Sequence, residues 1–169
     1  DTNTYNFKVE FFNNEQLNNY LRENKKDMVE LTLKKNPNAI KPTEDEGLNP
    51  LLVAIAKKDV SLVKFLLDNG ANPNIITGSS PLNSAIQCGC SECVKLLLAS
   101  GAKINERGDD GRFPLEEAVF WAKYEVVKLL LEKGADPNIK TIEGVTLLEL
   151  ATDKGLDTIV NELKKYGAK

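Results

Sequence analysis

Three stretches of the chain carry the same apolar run: Val63-Lys-Phe-Leu-Leu67, Val94-Lys-Leu-Leu-Leu98 and Val127-Lys-Leu-Leu-Leu131. In each, the leading Val is followed by apolar residues three and four positions on, the spacing of one helical face. Each run closes on a glycine, Gly70, Gly101 or Gly134, the residue that takes a left-handed position past a helix end without a Cβ penalty. Upstream of each lies a shorter apolar segment opening on proline: Pro50-Leu-Leu-Val-Ala54, Pro81-Leu-Asn-Ser-Ala85 and Pro114-Leu-Glu-Glu-Ala118. Proline suits the first turn of a helix, where its missing N–H costs nothing. After the glycines come Asn72-Pro-Asn74, Lys103-Ile-Asn105 and Asp136-Pro-Asn138, which read as exposed turns. The predicted unit is helix, tight turn, helix, extended loop.

The unit recurs in a fixed register. Gly-Ala occurs at Gly70-Ala71, Gly101-Ala102, Gly134-Ala135 and Gly167-Ala168, in steps of 31, 33 and 33 residues. Twenty residues before each Gly stands Pro50, Pro81, Pro114 or Leu147; four residues after that slot stands Ala54, Ala85, Ala118 or Ala151. Three residues before it stands Gly47, Gly78, Gly111 or Gly144. Four coincident slots in four copies identify an internal repeat, and a period of this length marks a stacked array.

The pattern Gly-x-x-Pro-Leu-x-x-Ala followed by Val-Lys-x-Leu-Leu-x-x-Gly-Ala-x-x-Asn resembles the ankyrin repeat, whose period is 33 residues. The resemblance covers residues 44 to 168. It implies an all-α solenoid of about five helix-turn-helix repeats with hairpin-like finger loops, in which fingers and first helices line a concave face. Two family positions depart. The Thr before Pro is Asn49, Ser80 and Phe113 and survives only as Thr146; the His after Pro-Leu is Leu52, Asn83, Glu116 and Glu149.

A degenerate first copy covers residues 16 to 40. Val29-Glu-Leu-Thr-Leu33 matches Val63-Lys-Phe-Leu-Leu67 at a shift of 34, and Asn36-Pro37 stands for Gly70-Ala71. Asn is the next-best residue for a left-handed cap. In the last copy Glu162 and Lys164 fill slots that are Phe65 and Leu67 earlier, as expected of an end repeat with one face in water. The chain therefore divides into an extension (1–12), an N-capping repeat (13–43), repeats at 44–76, 77–107 and 108–140, and a C-capping repeat (141–169). Tyr5, Phe7, Val9 and Phe11 alternate in the extension, compatible with a short strand or with packing on the first helix. The 31-residue step predicts a finger two residues shorter between Gly70 and Pro81.

Composition narrows the function. With 41% apolar and 28% charged residues and a net charge of −3, the chain lacks the basic excess of a nucleic-acid binder and has no run long enough to span a membrane. There is no histidine, hence neither the commonest general base nor the commonest metal ligand. No nucleophile–base pair or phosphate loop appears, so an enzyme is not expected, and no catalytic, cofactor or metal residue is assigned. Cys88-Gly-Cys90-Ser-Glu-Cys93 offers three thiols without a fourth ligand; free thiols in a reducing compartment are the expectation, with Cys93 in the core slot of Leu62 and Val126. Glu44-Asp45-Glu46-Gly47 and Asp109-Asp110-Gly111 lack the calcium-loop spacing and read as solvated finger tips.

The remaining role is recognition of another protein by a monomer. Phe120-Trp121 occupies the slots of Ala56-Lys57, Gln87-Cys88 and Asp153-Lys154, where the resemblance implies the concave face. A core slot would not hold two lysines, so an exposed aromatic is expected, and Trp is the residue most enriched in interface hot spots. Removing Trp121 should then leave stability within about 0.5 kcal/mol. The implied partner-binding residues are Asp109, Asp110, Arg112, Phe120 and Trp121 at the centre, flanked by Lys57, Ser79, Gln87, Ile142, Glu143, Asp153 and Lys154. Alternatives left open are a scaffold module of a larger assembly and a secreted microbial effector that binds a host protein. A cytoplasmic location is expected; a removed signal peptide would instead place the chain outside the cell or in a periplasm.

Overall fold

The computed structural model describes residues 14–41, 49–75, 80–108 and 110–169. They form ten α-helices and, among them, no strand. The helices fall into five pairs: α1 (Asn14–Arg22) with α2 (Lys26–Lys35), α3 (Pro50–Ala56) with α4 (Val60–Asp68), and α5 (Pro81–Cys88) with α6 (Ser91–Ala99). Then come α7 (Pro114–Phe120) with α8 (Tyr124–Glu132), and α9 (Leu147–Asp153) with α10 (Asp157–Lys165). First helices stack in chain order from α1 to α9, and second helices from α4 to α10. The all-α stack is the predicted architecture. No helix of the described residues is long and apolar enough to cross a membrane.

The repeated residues explain the joints. Each Gly-Ala pair closes a second helix: at α4, Gly70 N–H donates to Leu67 and Ala71 N–H to Leu66, both at 3.0 Å. This crossed pair satisfies orphan carbonyls of the last turn and needs a left-handed residue; Gly70 has φ 90°, and its counterparts in the later repeats are alike. The alanine that follows is then buried, which is why the pair is Gly-Ala. First helices end in the same turn with a left-handed Asn24, Lys58, Gly89, Ala122 or Gly155.

Three asparagines tie successive loops together. Asn74 Nδ2 donates to the Gly101 carbonyl at 2.9 Å, and its Oδ1 accepts from Lys103 N–H at 2.8 Å. Asn105 repeats this with Gly134 and Asp136, and Asn138 with Gly167 and Lys169. One side chain thus satisfies a donor and an acceptor of the next repeat, which accounts for the Asn at a fixed place four residues after each Gly.

The core is one continuous layer running through the repeats, from Leu17 and Leu21 through Leu66, Leu97 and Leu130 to Leu163. Each fully buried side chain of this kind contributes about 1.5–3 kcal/mol relative to exposure.

Four expectations change. Asn36 is not a left-handed cap: its φ is −140°, and Pro37–Ile40 instead coil into a 3-10 turn begun by Asn36 Oδ1 accepting from Asn38 N–H. Proline at the next position makes extended backbone the better choice for Asn36. Glu162 is not in water; it is 8% exposed and pairs with Lys165 at 3.3 Å, while Lys164 is exposed as expected. Cys90 and Cys93 are not free thiols but a disulfide. They occupy the N-cap and third position of α6, one turn apart, with Cα atoms 5.2 Å apart, within bridging range. Cys93 is fully buried, as its register required, and Cys88 is free and half-buried. Finally, the loss of the family's Thr is made good in two repeats: Asn49 and Ser80 cap their helices by side chain, as the retained Thr146 does. Phe113 cannot cap, and its N–H is taken by Glu116 Oε2 at 3.3 Å. The N-terminal extension, the acidic stretch at 44–46 and the shortened finger at 76–79 lie outside the described residues.

Candidate functional site

The third repeat concentrates aromatic and charged side chains on its first helix, α7. Pro114 starts the helix, and Leu115, Ala118 and Val119 face the core. The opposite side carries Glu117, Phe120 and, at the C-cap, Trp121. Two carboxylates, Glu116 and Glu117, are buried at 4% and 2% exposure. Buried carboxylates require partners, and both find them on the groove side of the helix.

Glu117 is the hub. Its Oε1 accepts from the indole Nε1–H of Trp121 at 2.7 Å, and its Oε2 meets Arg112 Nη1 at 3.3 Å. The spacing follows from the helix: Glu117 and Trp121 are one turn apart on the same face, and Arg112 reaches back from the finger. The Arg112 guanidinium also lies over the Phe120 ring at 4.1 Å, and the Lys154 ammonium lies over the same ring at 4.5 Å. Phe120 and Trp121 meet edge to face, with centroids 5.4 Å apart, a favoured aromatic geometry. Trp121 remains 42% exposed. Its indole is tied back to Glu117 of its own helix.

Glu116 serves the finger. Besides the Phe113 N–H it faces Arg107, with Nη1 at 3.9 Å. Burial pushes its carboxyl above the usual range, against the pull of the Phe113 N–H and of Arg107 and Arg112. Arg107 lies over the Phe113 ring at 4.2 Å and donates to the carbonyls of Gly111 and Lys140, so one side chain bridges two fingers.

The residues expected to bind fall into three groups. Arg112, Phe120, Trp121 and Lys154 are brought together around Glu117. Asp110, Ile142 and Glu143 lie at the finger end. Asp110 Oδ1 accepts from Arg112 N–H at 3.1 Å and from Asn83 Nδ2 at 3.5 Å. Ile142 is 65% exposed, its Cδ1 close against Gly111. The Glu143 carboxylate is held below its usual range by its own backbone N–H and the Thr141 hydroxyl, with Arg112 and Arg107 adding to the effect. Gln87 and Asp153 are exposed on neighbouring first helices. Lys57 is not joined to this group: its ammonium is held by the Arg22 carbonyl at 2.7 Å and Asn24 Oδ1 at 2.8 Å. Ser79 and Asp109 lie outside the described residues.

Sequence reasoning missed Glu117, Arg107, Phe113 and Asn83. For Glu117 a signal existed: its slot is Val53, Ser84 and Leu150 in the other repeats, so it is the single charge there. Asn83, at the family's His position, donates to the Arg112 carbonyl at 3.0 Å and so links one repeat to the next finger.

A family model for ankyrin repeats (3 copies) matches residues 17–108 and 76–141. Among curated relatives, the E3 ubiquitin-protein ligase KEG of Arabidopsis thaliana is 32% identical over 88 residues, 51% of this chain and 5% of its own length. Human Rabankyrin-5 is 35% identical over 82 residues, 46% of this chain and 7% of its own. The putative ankyrin repeat protein FPV014 of fowlpox virus is 37% identical over 82 residues, 48% of this chain and 19% of its own. The chain thus spans a fifth or less of the length of each.

Proposed function

Because the chain belongs to the ankyrin-repeat family, we propose that it works by binding another protein along the face made by its fingers and first helices, centred on the C-terminal end of α7. Ankyrin repeats are in general protein–protein interaction modules and not enzymes. The finer placement rests on one observation: a partly exposed Trp121, held in place at a slot filled elsewhere by Lys57, Cys88 and Lys154. A fold gains nothing by exposing its one Trp, whereas a fixed amphipathic ring gives contact area at low entropic cost. Arg112, Phe120 and Lys154 surround the ring, and Asp110, Ile142 and Glu143 extend the surface along the fingers. Gln87 and Asp153 flank it; by register Asp109 belongs to the finger of Asp110 and Ser79 to the preceding finger.

The test is an affinity pull-down with wild type and Trp121→Ala as baits, followed by dissociation constants for the recovered protein. A hot-spot loss of about 2 kcal/mol corresponds to roughly thirtyfold weaker binding. A partner that binds both baits equally well places the interface elsewhere.

A further inference from the structure

We propose that Glu117 is a positioning residue that locks Trp121 and Arg112 into one preformed recognition face and withholds the indole N–H from any partner. Three observations carry this. The carboxylate is 2% exposed. Both its oxygens are used, and both by side chains of the candidate surface, at 2.7 Å and 3.3 Å. The equivalent slot holds Val53, Ser84 and Leu150, so the stack does not require a charge there. A buried carboxylate in a slot that elsewhere holds Val, Ser or Leu therefore runs against what packing alone would select.

The consequence is chemical. A surface Trp ordinarily offers a partner both a ring and a hydrogen-bond donor. Here the donor is already engaged, so Trp121 presents carbon only. Lys154 and Arg112 stand on the neighbouring Phe120 ring and repel a cation from the same place. The partner group that fits against Trp121 is therefore an apolar side chain. Ordering the ring beforehand also removes the entropic cost of fixing it on binding.

Glu117's part in recognition rests on the binding reading above, whereas its hold on Trp121 is measured without any partner, so the two fail separately. Trp121 is the one Trp of the chain and gives a single indole N–H resonance. In wild type that proton should exchange with water about tenfold or more slowly than in Glu117→Leu, the factor a hydrogen bond to a charged acceptor confers. Glu117→Leu should fold with a melting temperature within a few degrees of wild type, since Val53 and Leu150 occupy the same slot and Arg112, one-third exposed, can turn to water. Glu117→Gln, which keeps an acceptor oxygen at the same reach, should restore most of the protection. Equal exchange in wild type and Glu117→Leu overturns the proposal. So does a large fall in melting temperature in both variants, which would make Glu117 a residue of the fold.

Discussion

Replacing Trp121 by alanine separates a recognition residue from a packing residue, and the structure sets the size of each effect. Trp121 is 42% exposed, so somewhat over half of its surface is covered. A fully buried Trp removes about 150–250 Å² from water, and at about 25 cal/mol per Å² the covered part corresponds to about 2–4 kcal/mol. That figure is an upper bound, because the unfolded chain already covers some of this surface. Much of the cover comes from Phe120 in the same turn, and Ala keeps part of it. Glu117 loses one donor but retains Arg112. The expected loss on urea unfolding is therefore about 1–2 kcal/mol, more than the 0.5 kcal/mol anticipated for a freely exposed ring. For a domain of this length it appears as a fall of roughly 2–8 °C in melting temperature. Binding to the recovered partner should weaken by about 2 kcal/mol or more. A stability loss above about 3 kcal/mol with unchanged affinity would refute the reasoning and make the indole a packing element.

Leu130→Ala, at a fully buried position of α8, should cost about 2.7–5 kcal/mol in chemical denaturation. Ala122→Gly should instead stabilise by about 0.5–1 kcal/mol, since Ala122 has φ 53° and a Cβ is disfavoured there; circular dichroism melting checks the sign. The two carboxyl groups with opposite shifts predict opposite pH behaviour. Asp59 is held below its ordinary 3.8 by the Ser61 hydroxyl first, then by Lys26 and the Leu62 N–H, so its stabilisation is present above 3.8 and is lost as pH falls through the lowered value. Asp59→Asn should flatten the acid limb of the stability curve. Glu116 is raised above its ordinary 4.5 by burial, so it adds nothing in acid and destabilises increasingly as pH rises from 4.5 to the raised value. Glu116→Gln should gain stability at neutral pH and none in acid, read by melting temperature against pH. Thiol titration of denatured, unreduced protein should find one reactive cysteine, Cys88, and three after reduction; three without reductant would exclude the Cys90–Cys93 bond.

The fold was legible because its information is periodic. Proline at a first turn, a small residue where first helices meet, and Gly-Ala at a helix end each follow from local geometry, and the repeat multiplies each signal three- or fourfold. The exposed slot of Trp121 could be read in the same way, by asking what the other copies tolerate there. What stayed hidden is what happens once per chain. The Glu117 contacts depend on where a finger arginine folds back, and no periodicity encodes that. The same slot comparison that singled out Trp121 would have marked Glu117 as the lone charge, but it could not say whether the carboxylate faced water or a partner. The Cys90–Cys93 bond was missed for a related reason: an odd cysteine count argued against a framework of bridges, and a single bridge across one helical turn is not such a framework. Asn36 misled because proline beside it dictated its backbone more strongly than its own preference.

The asparagines that join one loop to the next fix where the stack can yield. Asn74, Asn105 and Asn138 pin three successive junctions at the loop edge, while the helix layers behind them are held by apolar contact, which permits sliding. Rotation between these repeats is therefore hinged on the loop edge, and is taken up at the helices. At the first junction the described residues place polar ties at the other edge. Ile40 stands where the amide would be, and the ties run from Lys57 to Arg22 and Asn24, and from Lys26 to Asp59 at 3.0 Å. Salt screens the Lys26–Asp59 ion pair but not an amide bridge, so this joint loosens with ionic strength while the three amide-pinned junctions do not.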